Sequence, residues 1–490
     1  MHEISLTQRY LWRSTREAIP VQRAIVVQLE QDGVAGFGEA SAFMTDRYNS
    51  GLDRMHADLR RIAPLLRASG AEDPEAVWRR MAGELPSSPF VLAAIDGAVH
   101  DLRARLLGLP LWRALDLPRP TGLRSSFSIG LDEVPTMVRK LRERPGWPAY
   151  KVKLADPGDL TVLKELRQHT AAPFYVDGNC GWEMSRLLPA LPELRELGVE
   201  LIEQPFPRDA WREAAELRRL SPVPVIADES MVSAADLPDC AAAFDGINVK
   251  PMKAGGITPS LALLRSARER GMVTMLGCMP ESVAGVSATA HLGGLADHLD
   301  VDAVELLAVN TGHGLTLDDT GGIVLPDRPG SGYLPDPTAR GWYVREVPAD
   351  AVRPLLDRAP APSPAGRPPR ATASDDRYLA VLHGGRPVAA ASIGWEEPPP
   401  AGFGPAGPPP GPLVRLRGPV VETGERGAGA GGALLRACLT AAVLSGADGV
   451  WTHAPATAAG FFHRNGFRNA DGPAGAPAHS RHHLMHWSSR

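Results

Sequence analysis

The sequence predicts an α/β protein: a parallel barrel with an α+β unit ahead of it and a separate smaller module behind it. Three observations carry that prediction. From about residue 123, short apolar strands alternate with amphipathic helices, one βα unit about every 25 residues, over roughly 200 residues; such a repeat closes most naturally into a parallel barrel. The residues before it run strands first and helices after, which marks an α+β unit. Past residue 353 the chain turns into "PLLDRAPAPSPAGRPPRATASDD", rich in Pro, Ala and Ser as an extended linker is.

Taken in order, the N-terminal unit has strand-like runs in "RAIVVQLEQDG" and "AGFGEAS", then helix-like runs in "RMHADLRRIAPLLRAS" and "PFVLAAIDGAVHDLRARLLG". The barrel strands are "SSFSIG", "AYKVKL", "PFYVDG", "VELIEQP", "PVIADES", "GINVKP", "MVTMLGC" and "LDVDAVELL". Beyond the linker, "YLAVLHGGRPVAAASIGW" reads as a hairpin about Gly-Gly. A proline-rich loop over 396–413 follows, then a strand, a glycine-rich turn, a helix, and a further strand–helix–strand.

Composition narrows the function classes. At 490 residues the chain needs two or three domains. It has 44% hydrophobic and 22% charged residues, and a net charge of −4 offers no basic field for nucleic acid or an anionic membrane. Cys180, Cys240, Cys278 and Cys438 are scattered without a CxxC pair, as reduced thiols rather than a disulfide frame or zinc site. The charged N-terminus lacks the apolar core of a secretory signal, and no apolar run reaches 18 residues. A cytoplasmic protein with no membrane or nucleic-acid partner is therefore expected.

Ionisable residues fall at successive strand ends, which in a parallel barrel converge on one mouth. Lys151 and Lys153 close the second strand, Asp177 the third, Glu203 the fourth, Asp228 the fifth and Lys250 the sixth. Alternate strand residues share a face, so Lys151 and Lys153 point the same way. Three carboxylates one βα repeat apart suit Mg²⁺, a hard cation that leaves positions for substrate oxygens. Such a cation offsets the charge that develops when a carboxylate substrate loses its α-proton to give an enediolate. The base must be a neutral amine, and a neighbouring ammonium depresses a lysine's pKa, which gives Lys151 a reason to sit beside Lys153. Lys253 also lies nearby in "KPMK", but strand alternation favours Lys250 as the inward one.

"KVK", "VDGN", "IEQP", "ADES" and "NVKPMKAGGI" resemble the motif series of the enolase superfamily, muconate-lactonizing-enzyme subgroup, over residues 3–345. "GCMPESVAGVSATAHL" and the Asp300–Asp302 pair are similar to those of its dipeptide epimerases. The resemblance implies an N-terminal α+β capping domain (1–122, with 315–353 packing back on it) over a (β/α)7β TIM-like barrel (123–314). It implies Lys153 and Lys250 as opposed bases for 1,1-proton transfer assisted by Lys151, and Asp177, Glu203 and Asp228 as Mg²⁺ ligands. Asp300 and Asp302 would clamp the dipeptide's α-ammonium, with Asn179, Cys278 and Met279 also at the substrate. The capping loop in "TQRYLWRSTREA" would set side-chain preference, and Arg13 and Arg16 there suit an acidic residue, as in Ala-Glu epimerases. An o-succinylbenzoate synthase or cycloisomerase of the same superfamily is the alternative; those act on substrates without an ammonium. A homo-oligomer acting on a small-molecule dipeptide is expected.

After a 354–371 linker, residues 372–490 contain "VVETGERGAGAGGALLRACLTAA" and "AAGFFHRNGFRN". These resemble the acetyl-CoA site of GNAT N-acetyltransferases, with Arg426, Gly427, Gly429 and Gly431 at the glycine turn, where backbone N–H groups at a helix start would cradle the pyrophosphate. The resemblance implies an α/β GNAT-like domain binding acetyl-CoA, either an acetyltransferase or a non-catalytic binding module. Two features depart from that family: Phe462 stands where a tyrosine acid is frequent, and no strand and helix pair is evident ahead of the hairpin. The histidines of the tail (His479, His482, His483, His486) read as a terminal strand rather than a metal site.

Overall fold

The computed structural model describes residues 2–13, 18–43, 48–71, 73–308, 310–335, 343–358, 376–383, 386–398, 403, 411–427, 430–470 and 482–488. The chain divides into two units, residues 1–339 and 340–490.

The first unit opens with an antiparallel sheet of β1 (His2–Arg13), β2 (Ala18–Gln31) and β3 (Val34–Ser41), followed by helices α1 (Leu52–Arg67), α2 (Pro74–Glu84) and α3 (Pro89–Leu106). Strands then helices is the order expected. β3 lies against α3 so closely that only glycine fits at two alternate positions: a Cβ on Gly36 would overlap the Ala98 carbonyl and Leu102, and one on Gly38 the Ala94 carbonyl. The "GFG" of the sequence is thus the groove into which the helix backbone settles.

Eight parallel strands follow in sequential order: β4 (Phe127–Ile129), β5 (Tyr150–Lys153), β6 (Phe174–Asp177), β7 (Val199–Glu203), β8 (Val225–Ala227), β9 (Gly246–Val249), β10 (Val273–Gly277) and β11 (His298–Asp300). Ser126 N donates to the Leu299 carbonyl at 2.8 Å, bringing the last strand round to the first. Between the strands lie α4 (Val134–Glu143), α5 (Thr161–Arg167), α6 (Met184–Glu196), α7 (Trp211–Leu220), α8 (Leu237–Ala243), α9 (Ile257–Glu269) and α10 (Val283–Ala290). Their apolar stripes (Leu163 and Leu166, Leu187 and Leu194, Leu263 and Leu264) are buried against the strands in one core. Two short ladders, Thr316–Leu317 with Ile323–Val324 and Gly312–His313 with Leu334–Pro335, carry the chain back to α3, where Asp101 accepts from Ser331 N at 2.6 Å.

The second unit starts earlier than the composition suggested. A strand, β12 (Tyr343–Glu346), and a helix, α11 (Ala349–Leu356), come before β13 (Arg377–His383), and β12 pairs with β13. The unit boundary therefore precedes the proline-rich stretch, residues 343–353 belong to the second unit, and a strand and helix do stand ahead of the hairpin. Pro and Ser content did not mark the unit edge, and residues 359–375 of that stretch lie outside the described residues. The sheet continues through β14 (Arg386–Trp395), β15 (Leu413–Val421), β16 (Gly449–Pro455), β17 (Arg468–Asn469) and β18 (His482–Ser488), in the order β12-β13-β14-β15-β16-β18-β17. His482, His483 and His486 of the tail lie on β18, as expected, and His479 lies outside the described residues. α12 (Ala430–Leu444) covers one face with Leu434, Leu435 and Cys438, and α11 the other with Val352 and Leu355; α13 (Ala459–Arg464) precedes β17. Among the described residues no helix is long and apolar enough to cross a membrane.

Gly38→Ala is expected to destabilise the first unit by about 3 kcal/mol, the upper end for an overpacked contact that backbone cannot relax. Urea unfolding checks this; a loss below about 0.5 kcal/mol would contradict the reading of the groove.

Candidate active site

The mouth of the barrel gathers most of the residues singled out from the sequence. Lys153, Asp177 and Glu203 are direct partners in the strand register, so their side chains share one level of the barrel. Lys151 Nζ lies 2.8 Å from both Glu203 and Asp300 and 3.5 Å from Asp177. Lys153 Nζ donates to Asp177 at 2.9 Å and to Asn179 Oδ1 at 2.6 Å. Lys250 Nζ donates to Asp228 Oδ2 at 2.8 Å. All of these lysines and carboxylates are buried. Lys151 is thus first a counter-charge to three acids, a larger task than the one its spacing from Lys153 implied.

Lys253 also reaches the mouth. Its ammonium bonds the Asp228 carbonyl at 2.5 Å and the carboxylate Oδ1. It follows Lys250 on the first turn after β9, so strand alternation no longer governs where it points. Burial lowers the Lys253 pKa despite Asp228. For Lys250, burial acts downward most strongly, but the charge and hydrogen bond of Asp228 together with the Glu203 carboxylate turn the net shift upward.

Asp300 ends β11, whereas Asp302 lies beyond it as the N-cap of a four-residue helix, Ala303–Leu306. The expectation that both sit on one strand is therefore corrected: the chain turns helical at "DAVEL". They still converge, because Ser128 Oγ donates to Asp300 at 3.1 Å and to Asp302 at 3.2 Å, and Ser128 N to Asp302 at 2.6 Å. Burial, with Asp300 alongside, pushes the Asp302 carboxyl up to about 8. Asp300 has Lys151 as its cation; the Asp302 carboxylate accepts from Ser128 alone among the hydrogen bonds described.

The loop after β10 is partly inward. Cys278 Sγ lies 3.3 Å from the Asp300 carbonyl. Met279 packs its side chain into the capping-domain core with Met252 and Phe90 and so links capping unit and barrel. Arg13 ends β1 and Arg16 lies outside the described residues. In the second unit, Arg426 Nε donates to the Val421 carbonyl at 3.2 Å, Gly427 has φ +80°, and Gly431 lies in the first turn of α12; Gly429 lies outside the described residues.

Several mouth residues were not found from the sequence. Ser126 and Ser128 alternate on and beside β4, and Asn248, two residues before Lys250, donates to Glu203 at 3.0 Å. Strand alternation alone would have flagged all three. Gln204, next to Glu203, carried no such signal, because a neutral amide does not stand out in a charge pattern.

A divalent cation fits this chemistry. Glu203 is completely buried, its Oε2 is 2.8 Å from Lys151 but accepts no aligned hydrogen bond, and burial beside Asp177 and Asp228 pushes its pKa up to about 7. Five carboxylates (Asp177, Glu203, Asp228, Asp300, Asp302) face four lysines here, an excess of negative oxygen that a cation would relieve. Among the described residues no three ligating side chains stand gathered about one point, because lysine ammonium groups are interleaved with the acids.

Residues 8–115 match the N-terminal domain of mandelate racemase/muconate lactonizing enzymes, and residues 133–339 the enolase C-terminal domain-like family. The chain is 37% identical over 319 residues to an L-Ala-D/L-amino acid epimerase of Flavobacterium johnsoniae, spanning 65% of this chain and 94% of that protein. It is 31% identical over 312 residues to an L-Ala-D/L-Glu epimerase of Bacteroides thetaiotaomicron, spanning 63% and 80%. Among solved structures, a dipeptide epimerase from Methylococcus capsulatus complexed with Mg and L-Arg-D-Lys is 31% identical with a TM-score of 0.62, over 68% of this chain and 98% of that one.

Asp302→Asn tests the electrostatics directly. A carboxyl whose folded pKa stands at about 8 favours folding below its unfolded pKa and loses that contribution as pH rises towards 8. The wild type should lose stability relative to the variant between about pH 4 and 8, by on the order of a few kcal/mol. Parallel denaturation curves at several pH values check this; a constant difference would rule it out.

Proposed function

The chain belongs to the mandelate racemase/muconate lactonizing enzyme family of the enolase superfamily, and from that membership we propose that its first unit is a Mg²⁺-dependent dipeptide epimerase. The observation that carries this reading is the Asp300–Asp302 pair at the end of the eighth strand. A buried carboxylate with serine donors and no lysine of its own suits a substrate ammonium. A succinylbenzoate synthase or cycloisomerase of the same superfamily, whose substrates carry no ammonium, gives Asp302 nothing to bind.

In this reading Lys153 and Lys250 are the two bases. They come from the second and sixth strand ends and are held by different carboxylates, Asp177 and Asp228. One amine takes the α-proton, leaving an enediolate; the other, protonated, returns a proton to the opposite face, and the epimer results. Lys151 stays paired with Glu203 and Asp300 and keeps their charges from repelling the substrate carboxylate. Asp177, Glu203 and Asp228 would hold Mg²⁺, which when bound supplies positive charge opposite the two enediolate oxygens.

For residues 340–490 we propose a GNAT-like acetyl-CoA-binding module. A strand and helix ahead of the hairpin, β12 and α11, support this reading, since that family has such a pair and none was evident in the sequence. β15 and β16 are the one parallel pair among the described strands of this sheet, and they pair only over Leu413–Arg415 and Gly449–Trp451 although both continue. Beyond that point a side chain takes over, the Thr452 hydroxyl donating to the Leu416 carbonyl at 2.8 Å. A gap of this kind between strands, with a turn at Arg426–Gly427 following β15, suits an extended acyl carrier.

Incubating the protein with a dipeptide library, Mg²⁺ and D₂O should place deuterium at one α-carbon of the true substrate. Lys153→Ala and Lys250→Ala should each lower epimerisation by at least about 10³-fold; full activity in either removes the two-base scheme. For the second unit, calorimetric titration of the whole chain with acetyl-CoA should give a binding heat that Arg426→Ala weakens. Silence at high micromolar ligand would end that reading.

A further inference from the structure

Immediately after the metal-ligand strands the backbone leaves its ordinary range. Gln204 has φ +35°, Asn179 +43° and Cys180 +62°, left-handed values that non-glycine residues adopt only where surroundings compel them. Gln204 is completely buried and uses its amide fully. Oε1 accepts from Asp228 N at 3.0 Å and Ser230 N at 2.9 Å; Nε2 donates to the Phe206 carbonyl and to Ser230 Oγ, both at 2.9 Å. The Ser230 hydroxyl proton is committed to the Arg208 carbonyl at 2.8 Å, so its oxygen receives the amide. The orientation is unambiguous: two N–H groups demand the oxygen, and a carbonyl demands the nitrogen.

The main chain of the same residue extends the network both ways. Gln204 N donates to the Ile226 carbonyl of β8 at 2.9 Å, and its carbonyl accepts Cys180 N, in the loop after β6, at 2.8 Å. One residue therefore adjoins Glu203 covalently, fixes the backbone of Asp228, and ties in the loop that follows Asp177.

We infer that Gln204 is the positioning residue that sets the separation of the Asp177, Glu203 and Asp228 carboxylates for a divalent cation. This rests on the reading of the mouth as a Mg²⁺ site. Without the amide, the turn carrying Asp228 loses the one oxygen that accepts from both the Asp228 and Ser230 N–H groups, and the three acids lose their common frame.

The test is calorimetric titration of Mg²⁺ into the metal-free full chain without substrate, for wild type, Gln204→Glu and Gln204→Met, with thermal unfolding of each in parallel. Both variants should bind Mg²⁺ at least about tenfold more weakly. The Glu variant separates positioning from charge: it adds a negative group beside the site and should tighten cation binding if only charge matters, yet it sets an acceptor against the Phe206 carbonyl. Tighter or unchanged affinity in either folded variant overturns the inference, whatever the melting temperature does. If neither folds, Ser230→Ala decides; it removes one of the two acceptors of Nε2 together with the hydroxyl's bond to the Arg208 carbonyl and leaves both bonds to Oε1: weaker binding supports the role and wild-type affinity overturns it. A wild-type protein that takes up no Mg²⁺ would instead overturn the reading of the mouth, and this inference with it.

Discussion

Everything at the barrel mouth depends on buried charge finding opposite charge from another strand. An isolated ammonium or carboxylate taken out of water costs several kcal/mol, and here nine such groups share one cavity wall. Lys151 meets acids from the third, fourth and eighth strands, Lys153 one from the third, Lys250 and Lys253 one from the fifth. The barrel's register and the site are consequently one constraint. A slip of one residue in β5 would turn both Lys151 and Lys153 away from the barrel axis and strand their partners.

The capping unit enters the same logic by a different route. Two of its buried carboxylates cap barrel helices. Asp96 on α3 accepts from Thr258 N at 2.8 Å at the start of α9, and Glu39 on β3 accepts from Ser282 N at 2.9 Å and Gly285 N at 3.1 Å at the start of α10. Those helices follow the sixth and seventh strands, whose ends carry Lys250 and Cys278. A carboxylate at a helix N-terminus meets unpaired N–H groups and the positive end of the dipole. The capping unit thereby holds the backbone from which the mouth is built, and Met279, buried in its core, holds the next loop.

Much of this was legible in the sequence because a parallel barrel repeats. Charged residues in phase with the repeat had to fall at strand ends, and Lys151, Lys153, Asp177, Glu203, Asp228 and Lys250 all do. Asp302 was placed on a strand because DxD mimics alternation, but the turn into Ala303–Leu306 took it off. The start of the second unit was misplaced because proline marks where regular structure stops, not which sheet a strand such as Tyr343–Glu346 will join. Gln204 was overlooked because its importance lies in four neutral hydrogen bonds.

By itself the sequence determined the barrel, the strand each charged residue closes and the family that the motifs resemble, since periodicity and residue type are local properties of the chain. Only the tertiary structure decided which carboxylate each lysine meets, that Lys253 shares Asp228, that Asp302 lacks a lysine, and that one amide ties three strand ends together. Those outcomes depend on distances between segments far apart in sequence, and no spacing along a chain encodes which oxygen an ammonium will find once the sheet has closed.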